Sequence, residues 1–235
     1  MKALVIGGSG SIGSAIVDRL LEDGYEVIIH YNRSDLTALK QKYAHQKVSF
    51  VQCDLSQNTS GIMQHFEFIQ NLDCLIYAAG QSLYGMVQDM DDTLVDQCYR
   101  INVKSLIQLT RGFINQLRKS NNGRIIVISS IWGETGASME VVYSTMKAAQ
   151  IGFVKALSQE LSLTNITVNA VAPGFVSGNM ADEWSDIERA EIINDLPQQR
   201  MVTPEEVAYT CAYLYHPMAQ SVTGTVQKVN GGWYI

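Results

Sequence analysis

Tyr143 and Lys147 are the two residues of this chain whose types and spacing best suit acid–base chemistry. They are four positions apart in a segment with helical periodicity, so the phenol and the ammonium lie on one helix face, one turn apart. A cation there stabilises a phenolate and lowers a phenol pKa that is about 10 when unperturbed. A tyrosine acid or base that works near neutral pH needs this adjustment. Such pairs also occur by chance on surface helices, so the meaning of this one depends on the elements that position it.

Short apolar runs alternate with segments of helical periodicity along the whole chain, which is typical of a parallel sheet with connecting helices. We predict a single α/β domain over residues 1–235, with a Rossmann-type doubly wound parallel sheet of about seven strands and helices on both faces. The predicted strands are Ala3–Ile6, Val27–His30, Val48–Val51, Cys74–Tyr77, Arg124–Ile128, Ile166–Val171 and Thr225–Val229. The predicted helices are Ile12–Leu21, Leu36–Tyr43, Thr93–Lys119, Val141–Ser162 and Pro204–Tyr215.

Glycine-rich and polar stretches follow these predicted strands. Gly7–Gly13 follows the first strand, Asp54 the third, Ala78–Gly80 the fourth, Ser130 the fifth and Pro173-Gly174 the sixth. Ligands of open α/β sheets bind beyond the carboxyl ends of the strands. We therefore expect these stretches to meet in one binding site.

The loop Gly7–Gly13 is the predicted pyrophosphate site, because glycines let the backbone approach a phosphate and the following helix offers free N–H groups. Two registers fit. Gly8, Gly10 and Gly13 match G-x-G-x-x-G, whereas Gly7, Ser11 and Gly13 match a longer G-x-x-x-G-x-G loop whose middle glycine is replaced.

The end of the second strand predicts which nicotinamide nucleotide is favoured. An acidic residue there would bind a ribose 2′-hydroxyl, but this chain has Asn32, Arg33 and Ser34. Arg33 offers a charge-assisted contact to a 2′-phosphate, and its two neighbours add neutral hydrogen bonds. We expect NADPH/NADP, with Arg33 as a merely solvated residue being the alternative. Asp54 is a candidate acceptor for the adenine amino group or a cap of the next helix.

Composition and charge limit the other function classes. The net charge is −6 with no basic cluster, which argues against nucleic acid or an anionic membrane as a partner. The four cysteines lie in apolar contexts without metal-ligand spacing, so we expect reduced core thiols, a cytoplasmic protein and no metal site. We expect no signal peptide and no membrane-spanning segment.

With these motifs in order, the chain resembles the short-chain dehydrogenase/reductase family nearly end to end. The family's glycine loop corresponds to Gly7–Gly13, its Asn-Ala-Gly turn to Tyr77–Gly80 and its Tyr-x-x-x-Lys to Tyr143–Lys147. The serine thirteen residues before the tyrosine is Ser130, and the helix asparagine is Asn102. The pairs Pro173-Gly174 and Gly231-Gly232 also match.

The resemblance implies a catalytic tetrad of Asn102, Ser130, Tyr143 and Lys147. Tyr143 would protonate the carbonyl oxygen while the nicotinamide delivers hydride, and Ser130 would hydrogen-bond that oxygen. Lys147 would lower the tyrosine pKa and hold the nicotinamide ribose, and Asn102 would support a water that relays protons to Lys147. Ser130 as a cap and Asn102 as an ordinary helix residue are the structural alternatives.

The predicted cofactor contacts combine this resemblance with the chemistry above. They are Gly7, Ser9, Gly10, Ser11, Ile12, Gly13, Asn32, Arg33, Ser34, Asp54, Leu55, Ala78, Ala79, Gly80, Tyr143, Lys147, Pro173, Gly174 and Val176. Three residues depart from the family pattern: Ile6 replaces a threonine, Ser11 a glycine and Tyr77 an asparagine. None belongs to the tetrad, so we expect activity to survive.

The substrate is predicted only by resemblance. The chain is similar to bacterial 3-oxoacyl-acyl-carrier-protein reductases, but Asn121 and Thr164 stand where those enzymes have basic carrier-docking residues. The loop Ser130–Tyr143 is similar to a sister group that reduces the 5-aminopentanone modification on elongation factor P. Glu134 or Glu140 would then receive the substrate amine, although either can be a solvated charge. An oxidative dehydrogenase and a non-enzymatic NADP-sensing regulator are the remaining alternatives.

The segment Ser177–Arg200 is predicted to form a mobile substrate lid. Its apolar residues Met180, Trp184 and Leu196 would face an apolar chain or belong to the core, and Trp132 would line the pocket or pack in its own loop. The two long predicted helices are candidate packing surfaces for a homo-oligomer, and the resemblance implies a tetramer or dimer.

Overall fold

A seven-stranded parallel sheet forms the centre of the molecule. The computed structural model describes residues 1–57, 61–178, 181 and 184–235. The strand order is β3-β2-β1-β4-β5-β6-β7, and every neighbouring pair is parallel. The strands are β1 Lys2–Ile6, β2 Glu26–Tyr31, β3 Val48–Gln52, β4 Cys74–Tyr77, β5 Gly123–Ile128, β6 Ile166–Pro173 and β7 Val226–Val229. This order confirms the predicted doubly wound sheet.

Helices connect the strands. They are α1 Ser11–Glu22, α2 Leu36–Lys42, α3 Asp92–Tyr99, α4 Ser105–Lys119, α5 Trp132–Thr135, α6 Val141–Glu160, α7 Asp186–Asp195 and α8 Pro204–Tyr215. Short 3₁₀ turns cover Ile62–Phe66, Val87–Asp89 and Pro217–Ala219. Within the described ranges, no helix combines the length and apolarity that crossing a membrane requires.

The core has two layers because successive strand residues point to opposite faces of the sheet. Leu4 and Ile6 of β1 pack with residues of α4 and α6, whereas Ala3 and Val5 pack with residues of α1 and α8. Strands buried on both faces must be apolar throughout, which explains the continuous apolar runs in the sequence. The predicted helices on both faces are therefore confirmed.

The range predicted as one long helix, Thr93–Lys119, is helical throughout but is not α-helical throughout. A π-helical segment, Arg100–Lys104, separates α3 from α4. Hydroxyl groups bind the carbonyls in this segment: the Tyr77 phenol donates to Ile101 O, and Ser105 Oγ lies 2.8 Å from Arg100 O. The apolar pattern of the sequence does not reveal one extra residue in a helical turn. Such π-helical segments are frequent at functional sites.

Candidate active site

The carboxyl ends of five neighbouring strands bring the predicted site residues together. The order β2-β1-β4-β5-β6 places the loop after β1 at the centre, with Asn32–Ser34 on one side and Ala78–Gly80, Ser130 and Gly174 on the other. Asp54 follows β3, beyond β2. The sheet thus divides the site into a β1–β3 end that suits a nucleotide and a β4–β6 end that carries the candidate catalytic residues.

Gly7 and Gly13 are the loop positions at which the backbone leaves no room for a side chain. A Cβ on Gly7 would lie 2.7 Å from Ala79 N, and Gly7 also has a φ of +78°. A Cβ on Gly13 would lie 2.1 Å from Gly7 O, whereas one on Gly10 would meet nothing closer than 3.5 Å. This geometry favours the longer register with Ser11 in the middle. Gly10 is the N-cap of α1, so free N–H groups lie where a pyrophosphate would bind.

His30 holds this loop in place, a role that the sequence analysis missed. Its Nδ1 accepts from the N–H of Gly7 at 3.0 Å, and its Nε2 lies 2.9 Å from Cys53 O. The ring is therefore the neutral tautomer with the proton on Nε2. Burial lowers the pKa of His30 to about 4, which keeps it neutral near pH 7. The sequence feature that could have indicated this role is a histidine at a buried position of a predicted strand.

The predicted 2′-phosphate region joins the loops after β1 and β2. The Ser34 hydroxyl donates to the Ser9 hydroxyl at 2.9 Å, and Asn32 Nδ2 donates to Asp54 Oδ1 at 3.3 Å. Arg33 between them is exposed. This arrangement places two hydroxyls and a guanidinium along one edge of the nucleotide end.

Asp54 and Leu55 differ in what they present to this end. Burial tends to raise the pKa of Asp54, but donors from Ser56 and Gln57 and the nearby Arg33 charge outweigh it and lower the pKa. The carboxylate closes a turn with Ser56 N at 2.9 Å, so the structure supports a turn, not the alternative of a helix cap. The Leu55 side chain is buried in the core, so only its backbone can contact a cofactor.

In the small-residue stretch Ala78–Gly80, Gly80 packs closely against Asn102 and Lys147. A Cβ on Gly80 would lie 3.2 Å from Asn102 Oδ1 and 3.3 Å from Lys147 Nζ. Asn102 Oδ1 is buried and has no hydrogen-bond partner within the described residues. The unpaired Asn102 Oδ1 beside Gly80 is therefore a suitable acceptor for a polar ligand group such as a ribose hydroxyl.

Ser130 and Tyr143 form the centre of the β4–β6 end. The Ser130 side chain lies close enough to Tyr143 to lower the pKa of its phenol, and both residues are buried. Ser130 Oγ also accepts from the N–H of Trp132 at 3.2 Å, so Ser130 orients the following turn as well. Ser129, not selected from the sequence, donates from Oγ to Lys147 O at 2.9 Å and fixes α6 against β5.

Lys147 lies behind Tyr143 and contacts neutral oxygens. Its Nζ donates to Ile128 O at 2.9 Å and lies 5.5 Å from the centre of the Tyr143 ring. Burial lowers the pKa of Lys147 to about 8. The lowered tyrosine pKa expected from the sequence is not found here: burial, and then the charge of Glu140, raise the pKa of Tyr143, while Ser130 lowers it. Burial is the main cause, because removing water from the phenol disfavours its charged form.

Asn102 lies in the π-helical segment and binds its surroundings through both amide and backbone. Its Nδ2 donates to Cys98 O at 2.9 Å and to Gln81 O at 3.1 Å. Its backbone oxygen accepts from Gln150 Nε2 at 2.7 Å. Asn102 is therefore not an ordinary helix residue, because its side chain connects α3 to the loop after β4.

The loop between Ser130 and Tyr143 separates the two candidate glutamates. Glu134 lies 3.9 Å from Lys228 Nζ, so a cation already accompanies it. Glu140 is partly buried and lies near the side chains of Trp132 and Tyr143. Burial raises the pKa of Glu140. Trp132 packs edge-to-face on Trp233, with ring centres 5.0 Å apart, at the rim of the site.

The residues after β6 close the site from the other side. Pro173 O accepts from Ile131 N at 3.1 Å, Gly174 N donates to Val229 O at 2.9 Å, and Val176 pairs with Val202. In the predicted lid, Trp184 packs on Tyr84 with ring centres 5.5 Å apart, and Leu196 is buried. Helix α7 was not predicted. Met180 lies outside the described residues.

Comparison with known proteins agrees with this geometry. The short chain dehydrogenase family profile matches residues 1–189. The chain is 37% identical to an uncharacterized oxidoreductase, YmfI, of Bacillus subtilis, over 99% of this chain and 98% of the relative. The chain belongs to the short-chain dehydrogenase family. It is therefore an oxidoreductase acting on keto or hydroxyl groups, and its family uses NAD(P)H.

Two other relatives of this short-chain dehydrogenase are ketone reductases by name. The 3-oxoacyl-[acyl-carrier-protein] reductase FabG of Rickettsia typhi is 36% identical over 98% of this chain and 95% of the relative. A solved actinorhodin polyketide ketoreductase variant with NADPH is 31% identical, with a TM-score of 0.89 over 99% of this chain and 96% of the other. Both similarities extend over the whole site described above.

Proposed function

We propose that this short-chain dehydrogenase is an NADPH-dependent ketone reductase in which Tyr143 donates the proton. The observation that carries the proposal is the buried group of Ser130, Tyr143 and Lys147, with the Lys147 ammonium 5.5 Å from the Tyr143 ring centre and Gly80 beside that ammonium. Ser130 orients the carbonyl oxygen towards the phenol. Lys147 keeps a positive charge near the developing phenolate, which stabilises the transition state in a site of low polarity.

The residues at the β1–β3 end support NADPH as the cofactor. Gly7 and Gly13 give the backbone a close approach to the pyrophosphate, and Arg33 with Ser34 and Ser9 would hold the 2′-phosphate. When bound there, NADPH supplies the hydride. Gly80 leaves room for the ribose in front of Lys147, whose ammonium would hold its hydroxyls.

The first candidate substrate is a 3-oxoacyl group on an acyl carrier protein. The FabG relative named above carries this activity in its name, and the site at the carboxyl ends is compatible with it. In this reading the segment 177–200 is the lid over the acyl chain, and Trp184 on Tyr84 forms its contact with the loop after β4.

A second candidate is favoured by Glu140, which suits an amino ketone such as the 5-aminopentanone group on elongation factor P. Among the residues that the structure describes, Glu140 lies beside Tyr143 without a salt-bridge partner, whereas Glu134 has Lys228. An ammonium 4 Å from this carboxylate would gain about 4 kcal/mol at an intermediate dielectric. The Trp132 indole lies near this carboxylate and would donate to it when the amine binds.

The test compares NADPH oxidation with the two substrates, a 3-oxoacyl carrier thioester and aminopentanone-modified elongation factor P. Tyr143→Phe should abolish turnover and leave NADPH binding nearly intact. Full activity of that variant would refute the mechanism. No turnover with either ketone, despite tight NADPH binding, would favour the NADP-sensing regulator.

Glu140→Gln, with Glu134→Gln as its matched control, should raise KM for the amino ketone alone if the second candidate is correct.

A further inference from the structure

Gln150 is a buried polar residue that the tetrad does not include. It lies on α6 one turn after Lys147 and is 0% exposed. Burying an amide is unfavourable unless both of its ends are hydrogen-bonded. An apolar side chain of similar volume would pack there without that requirement, so its contacts call for a functional reason.

The two ends of the Gln150 amide contact two members of the tetrad. Nε2 donates to the backbone oxygen of Asn102 at 2.7 Å, and Oε1 lies 3.3 Å from Lys147 Nζ. The opposite orientation of the amide would place its NH₂ group against the ammonium and its oxygen against a carbonyl. The surroundings therefore fix the amide in one orientation.

The ammonium of Lys147 is thereby held from two sides. One N–H is directed to Ile128 O at 2.9 Å on β5, and a second to Gln150 Oε1. The third is left for the side of Gly80, 3.3 Å from the position that a Cβ would occupy there. That side is where the proposed ribose and ketone bind. The titratable groups that face Lys147 are Cys98 of α3 and Tyr143 of α6.

We infer that Gln150 is a positioning residue for the reduction, which couples Lys147 to the π-helical segment of Asn102 and keeps the ammonium aimed at the cofactor side. The inference rests on the proposed function. The acceptor oxygen of Gln150 also favours the charged form of Lys147 over the neutral one. An amide does this without adding a charge, whereas a carboxylate at the same place would bind the ammonium more strongly.

The experiment measures the pKa of Lys147 by NMR of ¹³C-lysine-labelled protein, together with the pH dependence of kcat/KM for NADPH-dependent ketone reduction. Gln150→Leu should lower that pKa and move the alkaline limb of the rate profile to lower pH. Gln150→Glu should move both to higher pH. We expect kcat of Gln150→Leu to fall about tenfold or more, with little change in KM for the ketone.

The matched control is Gln159→Leu, an exposed position on the same helix, which should leave both quantities unchanged. Opposite pKa shifts in the two Gln150 variants would support the inference, because a purely structural role predicts no change of sign. An unchanged pKa in both would overturn it. Since NMR needs no substrate, absence of ketone turnover would refute the proposed function and leave this test valid. If Gln150→Leu does not fold, Gln150→Ala replaces it: a lower Lys147 pKa is expected, and an unchanged pKa would overturn the inference.

Discussion

Lys147 shows that this site is built at the expense of stability. The side chain is 3% exposed, and the partners of its ammonium are the carbonyl of Ile128 and the amide of Gln150, both neutral. Burial lowers the pKa of Lys147 from 10.5 to about 8, so the folded state binds this proton more weakly than the unfolded state. Between those pH values the unfolded chain carries the proton and the folded chain does not. The free energy of unfolding therefore rises with pH in this range.

Lys147→Met should therefore raise the free energy of unfolding at pH 7 while abolishing ketone reduction. The pKa shift corresponds to about 3 kcal/mol. The unpaired Ile128 carbonyl and Gln150 Oε1 each take back about 1 kcal/mol, so we expect a gain of about 1 kcal/mol. Urea unfolding at pH 7 and near pH 10 measures it. The gain should shrink at the higher pH; a gain independent of pH would contradict the assigned cause.

Arg33 gives a second prediction at this scale. Arg33→Ala should raise KM for NADPH far more than for NADH, because only the former has a phosphate for the guanidinium to bind. Steady-state kinetics with both nucleotides measure the two effects. Equal changes would mean that Arg33 is only a solvated residue.

Sequence reasoning reached the residues that a local pattern reveals and missed those defined by contacts between distant segments. Tyr143 and Lys147 share one helix, so their spacing predicted their common face. His30 and Gln150 became visible only once strands and helices had brought Gly7, Cys53 and Asn102 beside them. Glu134 and Glu140 were indistinguishable until the fold placed Lys228 beside one of them.

At the scale of elements, the site depends on how loops are fixed to strands. The π-helical segment Arg100–Lys104 turns the Asn102 carbonyl towards Gln150, and Tyr77 of β4 and Ser105 of α4 bind the neighbouring carbonyls. The departure at Tyr77 thus adds a contact in place of the expected amide. The sequence predicted the helical range well. It could not show the π-helical segment, because the apolar face continues across it.

His30 joins three elements and makes their contact sensitive to acid. Its folded pKa is about 4 and its unfolded pKa about 6.5, so its contribution is complete above pH 6.5 and is lost as pH falls towards 4. At pH 5 the loss is about 2 kcal/mol relative to pH 7.

We therefore expect His30→Gln, whose amide can accept from Gly7 and donate to Cys53, to lose about 2 kcal/mol less stability between pH 7 and pH 5 than the native chain. Urea unfolding at both pH values provides the measurement, with the exposed His45→Gln as the control. Equal losses in the native chain and His30→Gln would show that another group governs the acid response.

At the scale of the molecule, the strand order places the proposed nucleotide contacts and the proposed catalytic residues at different ends of one sheet edge. The helices around the sheet leave apolar residues at the surface. Ile107 of α4 is 42% exposed and Val141 of α6 is 46% exposed. Strand order and layers followed from the sequence because parallel strands buried on both faces leave a clear signal. Helix α7 was missed because it has no buried residue and hence no apolar face.

These exposed residues support the homo-oligomer that we propose from the family resemblance. The native chain should sediment as a multiple of 26.0 kDa, and Ile107→Glu should shift it to a smaller species by placing a charge in the contact. The fully exposed Leu163→Glu is the control. A native chain that sediments as a monomer would refute the proposal, and so would an unchanged mass in Ile107→Glu.

The four cysteines are all free and buried, and this makes the chain its own reporter of opening. A thiol reagent should react slowly with the native protein and with four thiols after unfolding. Cys98 lies 3.3 Å from Asn102 Nδ2, so its reaction rate would report fluctuations of the active site. Cys74 and Cys211, both at 0% exposure, would report the opening of the opposite core layer. Labelling rates could thus show whether a bound nucleotide slows the reaction of Cys98 while the rates of Cys74 and Cys211 stay unchanged.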